Sequence, residues 1–166
     1  YPFRSRGLDF RLFAFKISLR GKRTQTYYLR LETESSFIIP LELLSPEEFQ
    51  SRYTKINLVY GIYYGVIIAM FFYNLFIFIS TRDKSYLYYI LFIVSYGLLQ
   101  FVGNGYAYQY LWSNSPEWGN ISMTFFMGVT IFFGSIFSLN FLEIRKHQPL
   151  LYSLLVIIAF LSLTII

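Results

Sequence analysis

The chain has 166 residues, of which 55% are hydrophobic and 22% aromatic, and its net charge is +5. This composition is extreme for a soluble domain and is typical of membrane proteins. The sequence contains no cysteine, which excludes disulfides, thiolate metal sites and cysteine nucleophiles. The cations are spread along the chain instead of forming one patch, so no nucleic-acid binding is expected.

Charged residues divide the chain into two regions. Of the 23 Lys, Arg, Asp and Glu residues, 16 lie in the first 55 positions. In this part, apolar residues recur at every second position over 13–19 and 27–31, with a turn at 21–23, which is typical of an antiparallel β-hairpin. The run 37–44 contains Pro40 and is typical of an edge strand. Three strands bury too little surface to be stable alone, so we expect residues 1–50 to be the end of a larger β-sandwich.

A helix start follows at Ser45-Pro46-Glu47-Glu48. Serine caps helices, proline suits the first helical position, and the glutamates complement the positive end of the helix dipole. The sequence predicts that a helix beginning here continues into the first membrane span. Such a helix would connect the β-domain mechanically to the membrane.

Residues 51–166 are predicted to form a multi-pass transmembrane region. Helices are expected at about 56–80, 85–102, 120–141 and 149–166, and the last is cut short by the end of the sequence. The run from residue 56 to residue 81 contains no charged side chain, and roughly 20 apolar residues suffice to cross the hydrocarbon as a helix. Aromatic residues crowd the helix ends, as they do at membrane interfaces. The fold class is therefore mainly α.

The short loops predict the orientation. Arg82 and Lys84 lie between the first two spans, and Arg145 and Lys146 lie between the third and fourth, whereas the loop 103–119 has no cation. The positive-inside rule then places the first and third loops in the cytoplasm and the N-terminal segment outside it.

The sequence offers little chemistry. The only histidine, His147, lies beside two cations in a predicted loop, and no phosphate-binding loop, nucleophile elbow or pair of metal ligands is recognisable. We therefore expect no catalytic, cofactor-binding or metal-binding residues here, and an enzyme only if a catalytic module lies beyond residue 166.

Four residues in the spans are candidates for contacts between helices. Gly61 and Gly65 have the GxxxG spacing that permits close helix approach, while Asn74 and Gln100 are polar residues that normally face protein or water. Hydrogen-bonded packing between helices is favoured over a ligand pathway. The residues that bind a ligand are unknown.

Several motifs resemble a known family, the bacterial seven-transmembrane receptors with diverse intracellular signalling modules. They are the last strand of the predicted hairpin at 26–32, the stretch 37–49, the first span from Tyr60-Gly61 to Asn74-Leu75-Phe76, the segment 82–89, Gln100 with Asn104-Gly105, and the segment 108–112. The resemblance covers nearly the whole chain as a fragment that holds the end of the extracellular domain and the first four helices.

The resemblance implies an extracytoplasmic, jelly-roll-like β-domain similar to carbohydrate-binding modules, seven helices and a cytoplasmic output module. The expected function is an integral membrane sensor in the bacterial cytoplasmic (inner) membrane. Its partners would be the lipid bilayer and a small-molecule or carbohydrate ligand, and a homodimer stays open. The alternative is a membrane transporter or channel, which usually needs ionisable groups or broken helices near the middle of the membrane.

Overall fold

The computed structural model describes residues 11, 14–19, 21, 24–28, 41–142 and 148–164. This part of the chain contains five helices: α1 (Pro46–Thr81), α2 (Lys84–Gly103), α3 (Tyr106–Tyr110), α4 (Pro116–Phe141) and α5 (Pro149–Leu163). By length and composition α1, α2 and α4 are able to cross a membrane, and α5 is a shorter apolar helix. The structure is therefore mainly helical.

The predicted β-sandwich stays a prediction. The described residues before Ser45 form no strand, and many residues of the three predicted strands lie outside the described ranges. His147 and the cations Arg145 and Lys146 also lie outside them.

The start and the continuity of α1 are as the sequence predicts. The Ser45 hydroxyl accepts a hydrogen bond of 3.1 Å from the Glu48 backbone N–H, and Pro46 lies in the first turn. The helix then continues for 36 residues without interruption. At 1.5 Å per residue it is about 54 Å long, well beyond a hydrocarbon thickness of about 30 Å. One rod therefore extends from the N-terminal segment through the first span.

A bidentate ion pair ties the segment before α1 to its second turn. The Arg52 guanidinium donates to the Glu42 carboxylate at 2.6 Å and 3.3 Å. Both side chains are about half exposed, so we expect this pair to contribute at most about 1 kcal/mol.

The connection between α1 and α2 is only two residues long. Arg82 has a left-handed backbone (φ 57°), and its N–H donates to the Phe78 carbonyl at 2.8 Å, which ends α1. Asp83 then caps α2 by accepting a hydrogen bond of 2.8 Å from the Ser85 N–H. This tight reversal makes α1 and α2 neighbours in the bundle.

The connection between α2 and α4 is not the plain loop that the sequence predicts. It contains α3, which is too short for its periodicity to be recognised, and α4 begins at Pro116, a few residues earlier than predicted. Proline at the first helical position explains that early start, because its missing N–H would have had no helical partner there.

The helices pack mainly in sequence order. α2 packs most extensively on α4, α4 also packs on α5, and α1 packs chiefly on α2. Single glycines mark two of these contacts. A Cβ atom at Gly97 would lie 3.3 Å from Ile67 of α1, and a Cβ atom at Gly134 would lie 3.2 Å from the Phe92 ring of α2. Close approach of the helices therefore depends on the missing side chains at these positions.

We expect Gly134→Val to reduce the free energy of unfolding by about 1–3 kcal/mol relative to Gly65→Val. Both changes add the same side chain to a helical glycine, but only at Gly134 does the new Cβ atom meet a neighbouring ring, since Gly65 has open space. Reversible unfolding of the two variants in mixed micelles measures the difference. Equal effects would contradict close packing at Gly134.

Candidate functional site

One residue of the N-terminal segment contacts the helical region through a charged side chain. The guanidinium carbon of Arg11 lies 4.9 Å from the ring centroid of Tyr60 in α1 and 4.8 Å from that of Tyr106 in α3. Its Nη1 also donates a hydrogen bond of 3.0 Å to the backbone carbonyl of Asn104. Cation–π contacts of this kind contribute about 0.5–2 kcal/mol, depending on how far the cation is desolvated.

The two rings belong to a group of four, Tyr60, Tyr64, Phe101 and Tyr106, which we call the tyrosine cluster. Tyr64 lies edge-on to Phe101 and Tyr106, with centroids 5.4 Å and 6.0 Å away, and Phe101 stacks on Tyr106 at 5.6 Å. Tyr60 meets Tyr106 edge-on at 5.8 Å. Each such pair contributes about 0.5–1.5 kcal/mol beyond burial, so the cluster joins α1, α2 and α3 at one end of the bundle.

Two hydrogen bonds fix the tyrosines of this cluster. The Asn104 side-chain amide donates to the Tyr64 hydroxyl at 3.0 Å, and the Tyr106 hydroxyl donates to the Asn57 side-chain carbonyl at 2.8 Å. Asn57 and Tyr64 each lie about one helical turn from Tyr60, so all three residues share one face of α1.

Gly105 shapes the turn that receives Arg11. Its φ of 79° is in the left-handed region, which glycine adopts without strain, and a Cβ atom there would lie 3.4 Å from the Arg11 backbone carbonyl oxygen. The turn therefore combines an unusual backbone conformation with close approach of the N-terminal segment.

The site is electrostatically unusual because a cation lies among uncharged groups. Among the described residues no carboxylate pairs with Arg11, and its buried Nε has no hydrogen-bond partner. Burial raises the pKa of the Tyr106 phenol above its ordinary value, and the charge of Arg11 lowers this pKa in part. The Tyr106 hydroxyl is therefore protonated at neutral pH, as its donation to Asn57 requires.

The four residues named from sequence do not meet in one place. Asn74 is buried in α1, but its amide donates to the Met70 carbonyl of the same helix at 2.7 Å. The Gln100 side chain has no hydrogen-bond partner within the described ranges, although its backbone carbonyl accepts from the Asn104 N–H near the tyrosine cluster. Gly61 and Gly65 are exposed, and a Cβ atom at either position would meet no described atom of a neighbouring helix within 4 Å. Their role in packing stays a prediction.

Serine and threonine hydroxyl groups in the spans donate within their own helices. Six buried or partly buried side chains donate to carbonyls three or four residues earlier: Ser95, Ser122, Thr130, Ser135, Ser138 and Ser162. The described contacts between spans are therefore set by shape more than by hydrogen bonds.

Comparison with family models identifies both regions of the chain. Residues 56–166 match the 7TMR-DISM 7TM family, whose description is 7TM diverse intracellular signalling. The chain belongs to this family. Residues 1–45 match the model described as 7TMR-DISM extracellular 2, so Arg11 lies in the extracellular match and the tyrosine cluster in the 7TM match. No curated protein and no solved structure matches the chain.

The sequence prediction missed Arg11 as a contact of this 7TMR-DISM chain. Tyr60, Tyr64 and Tyr106 are among the aromatic residues that crowd the helix ends, and membrane interfaces explain most aromatic residues at such positions. Arg11 is one of ten cations in the first 55 residues and stands in no recognisable motif. The glycine at 105, directly after a potential capping asparagine, is the one local signal of a tight turn.

We expect Arg11 and Tyr106 to be coupled by about 0.5–2 kcal/mol. The measurement is a double-mutant cycle of Arg11→Ala and Tyr106→Leu on the free energy of unfolding in mixed micelles. The control cycle pairs Tyr106→Leu with Lys16→Ala, because Lys16 is an exposed cation of the same segment. A coupling no larger than in the control cycle would show that the Arg11 contact does not form.

Proposed function

We propose that this chain senses a ligand outside the cytoplasm and transmits the signal through its helices to an output module beyond residue 166. The Arg11 contact carries the proposal, since it joins the part that matches an extracellular domain to the part that matches the 7TM region. A ligand that moves the N-terminal domain would thereby move α1 at Tyr60 and the turn between α2 and α3.

Two connections of different kinds support transmission. α1 is a covalent and continuous rod, so a displacement of its N-terminal end reaches the membrane span directly. The Arg11 contact is non-covalent and amounts to a few kcal/mol at most. Differences of that size are what ligand binding supplies when it shifts a two-state equilibrium.

α1 is also the span best able to shift. Its most hydrophobic window has a smaller buried share than those of α2 and α4, and among the described helices it packs chiefly on α2. A tilt or rotation of α1 would break few described contacts.

The proposed setting is the bacterial cytoplasmic membrane, with the N-terminal segment extracytoplasmic and a small molecule or carbohydrate as ligand. The sequence places Arg82 and Lys84 in the first loop, on the side that the positive-inside rule assigns to the cytoplasm. The transporter alternative has less support, because α1, α2 and α4 are unbroken and no ionisable side chain is buried among their described residues.

Thiol labelling tests the proposed orientation without background, since the sequence has no cysteine. We expect Asp83→Cys to react with an impermeant maleimide only from the cytoplasmic side and Ser115→Cys only from the opposite side. Both positions are exposed, and Asp83→Cys leaves the neighbouring cations Arg82 and Lys84 in place. Labelling of both from the same side would contradict the orientation.

A break in the α1 rod should weaken the connection between the ligand and the output. Lys55→Pro removes a helix hydrogen bond and clashes with the preceding turn, at a cost of about 3 kcal/mol. We expect it to reduce the ligand-dependent output of the complete receptor, with the Arg11 contact as the remaining connection, whereas Lys55→Ala retains the full response.

The measurement is output activity during ligand titration, with ligand binding to the N-terminal domain as the parallel readout. A full response in Lys55→Pro would exclude the rod as the route of the signal. Output that stays constant with every ligand that binds the N-terminal domain would overturn the sensor function itself.

A further inference from the structure

The surroundings of the Arg11 guanidinium have the chemistry of a cation-binding site. Two ring faces lie within 5 Å of its central carbon, and one backbone carbonyl accepts from it. No carboxylate among the described residues pairs with it. A cation that enters this site loses hydration water, and two ring faces with a single carbonyl replace that water only poorly. The site therefore favours weakly hydrated cations, such as guanidinium and quaternary ammonium, over the strongly hydrated, compact ammonium ion.

The walls of this site are held without Arg11. The hydrogen bonds of Tyr64 with Asn104 and of Tyr106 with Asn57 run between residues of the helical region. Phe101 stacks on Tyr106. The aromatic site would therefore stay preorganised, and would not collapse, when the Arg11 side chain is removed.

Arg11 occupies this site incompletely. Its Nε is buried without a hydrogen-bond partner among the described residues, which weakens its hold. Because Arg11 belongs to the same chain as the site, its effective concentration there is high. It therefore stays bound although its Nε lacks a hydrogen bond. The site also borders solvent, since Tyr110, which stacks on Tyr106, is 68% exposed.

We infer that the tyrosine cluster is a binding site for weakly hydrated organic cations, and that Arg11 is its tethered occupant and competitor. The inference does not depend on the proposed sensor function, because it concerns binding alone. A soluble cation of this class would displace the N-terminal segment from the helical region.

The test measures binding of N-ethylguanidinium to the whole chain in micelles by saturation-transfer NMR. This probe restores the atoms that Arg11→Ala removes beyond Cβ. We expect the Arg11→Ala variant to bind it at millimolar concentrations, at least about fivefold more tightly than the unchanged chain, in which Arg11 competes. Ethylammonium should bind the variant at least about fivefold more weakly than N-ethylguanidinium.

Second changes in the Arg11→Ala background locate the probe. Tyr60→Leu removes a ring face and should weaken binding at least about threefold, whereas Tyr60→Phe and Tyr110→Leu should not, because they keep both ring faces that Arg11 covers. Tyr60→Phe keeps the ring, so normal binding by this variant would show that Tyr60→Leu weakens binding by removing the ring.

Three results on the affinity of the probes would overturn the inference. They are equal affinity of the probe for the unchanged chain and the Arg11→Ala variant, equal affinity of the variant for the two probes, and no binding to the variant below about 100 mM. An equal effect of Tyr60→Leu and Tyr110→Leu would also overturn it, since the probe would then bind elsewhere.

Discussion

Hydrogen bonding of the backbone in hydrocarbon is the constraint on which this structure depends. No water is available there, so each spanning segment must satisfy its own N–H and C=O groups, and the helix does so within one segment. Several described polar side chains of the spans are satisfied in the same way. Asn74 donates to Met70 and Ser135 donates to Ile131, each within its own helix. Described spans therefore associate mainly through shape, with Gly97 and Gly134 lying directly against side chains of a neighbouring span.

Polar contacts between separate elements appear at the end of the bundle instead. There Asn104 reaches Tyr64, Tyr106 reaches Asn57, and Arg11 reaches the Asn104 carbonyl. This division has a functional consequence for a protein of the 7TMR-DISM family. Shape-based contacts permit small sliding and tilting movements, whereas a cation between two rings is either engaged or released.

The tyrosine cluster also illustrates how one residue type serves two environments. Tyrosine is common at membrane interfaces because its ring is apolar and its hydroxyl is polar. In this chain the same property lets Tyr106 stack on Phe101, donate to Asn57 and present a face to Arg11 at once. An interfacial belt and a binding site are therefore compatible descriptions of these residues.

The sequence by itself determined the membrane-spanning helices, the capped start of α1 and its continuation into the first span. These features depend on local composition and on contacts within one or two turns, which a single sequence records directly. The motifs along the chain also indicated the family that the family models identify. The β-sandwich predicted for residues 1–50 remains a prediction, because many of its residues lie outside the described ranges.

Only the tertiary structure decided which residues meet. The GxxxG pair at Gly61 and Gly65 was the visible packing signal, yet the close contacts involve Gly97 and Gly134, whose partners lie on other helices. The pairing of Arg11 with Tyr106 joins residues 95 positions apart, about which local periodicity carries no information. Helix formation is a local property of the chain, whereas the rotation of each helix about its axis follows from its neighbours. For that reason the elements were predictable and the site was not.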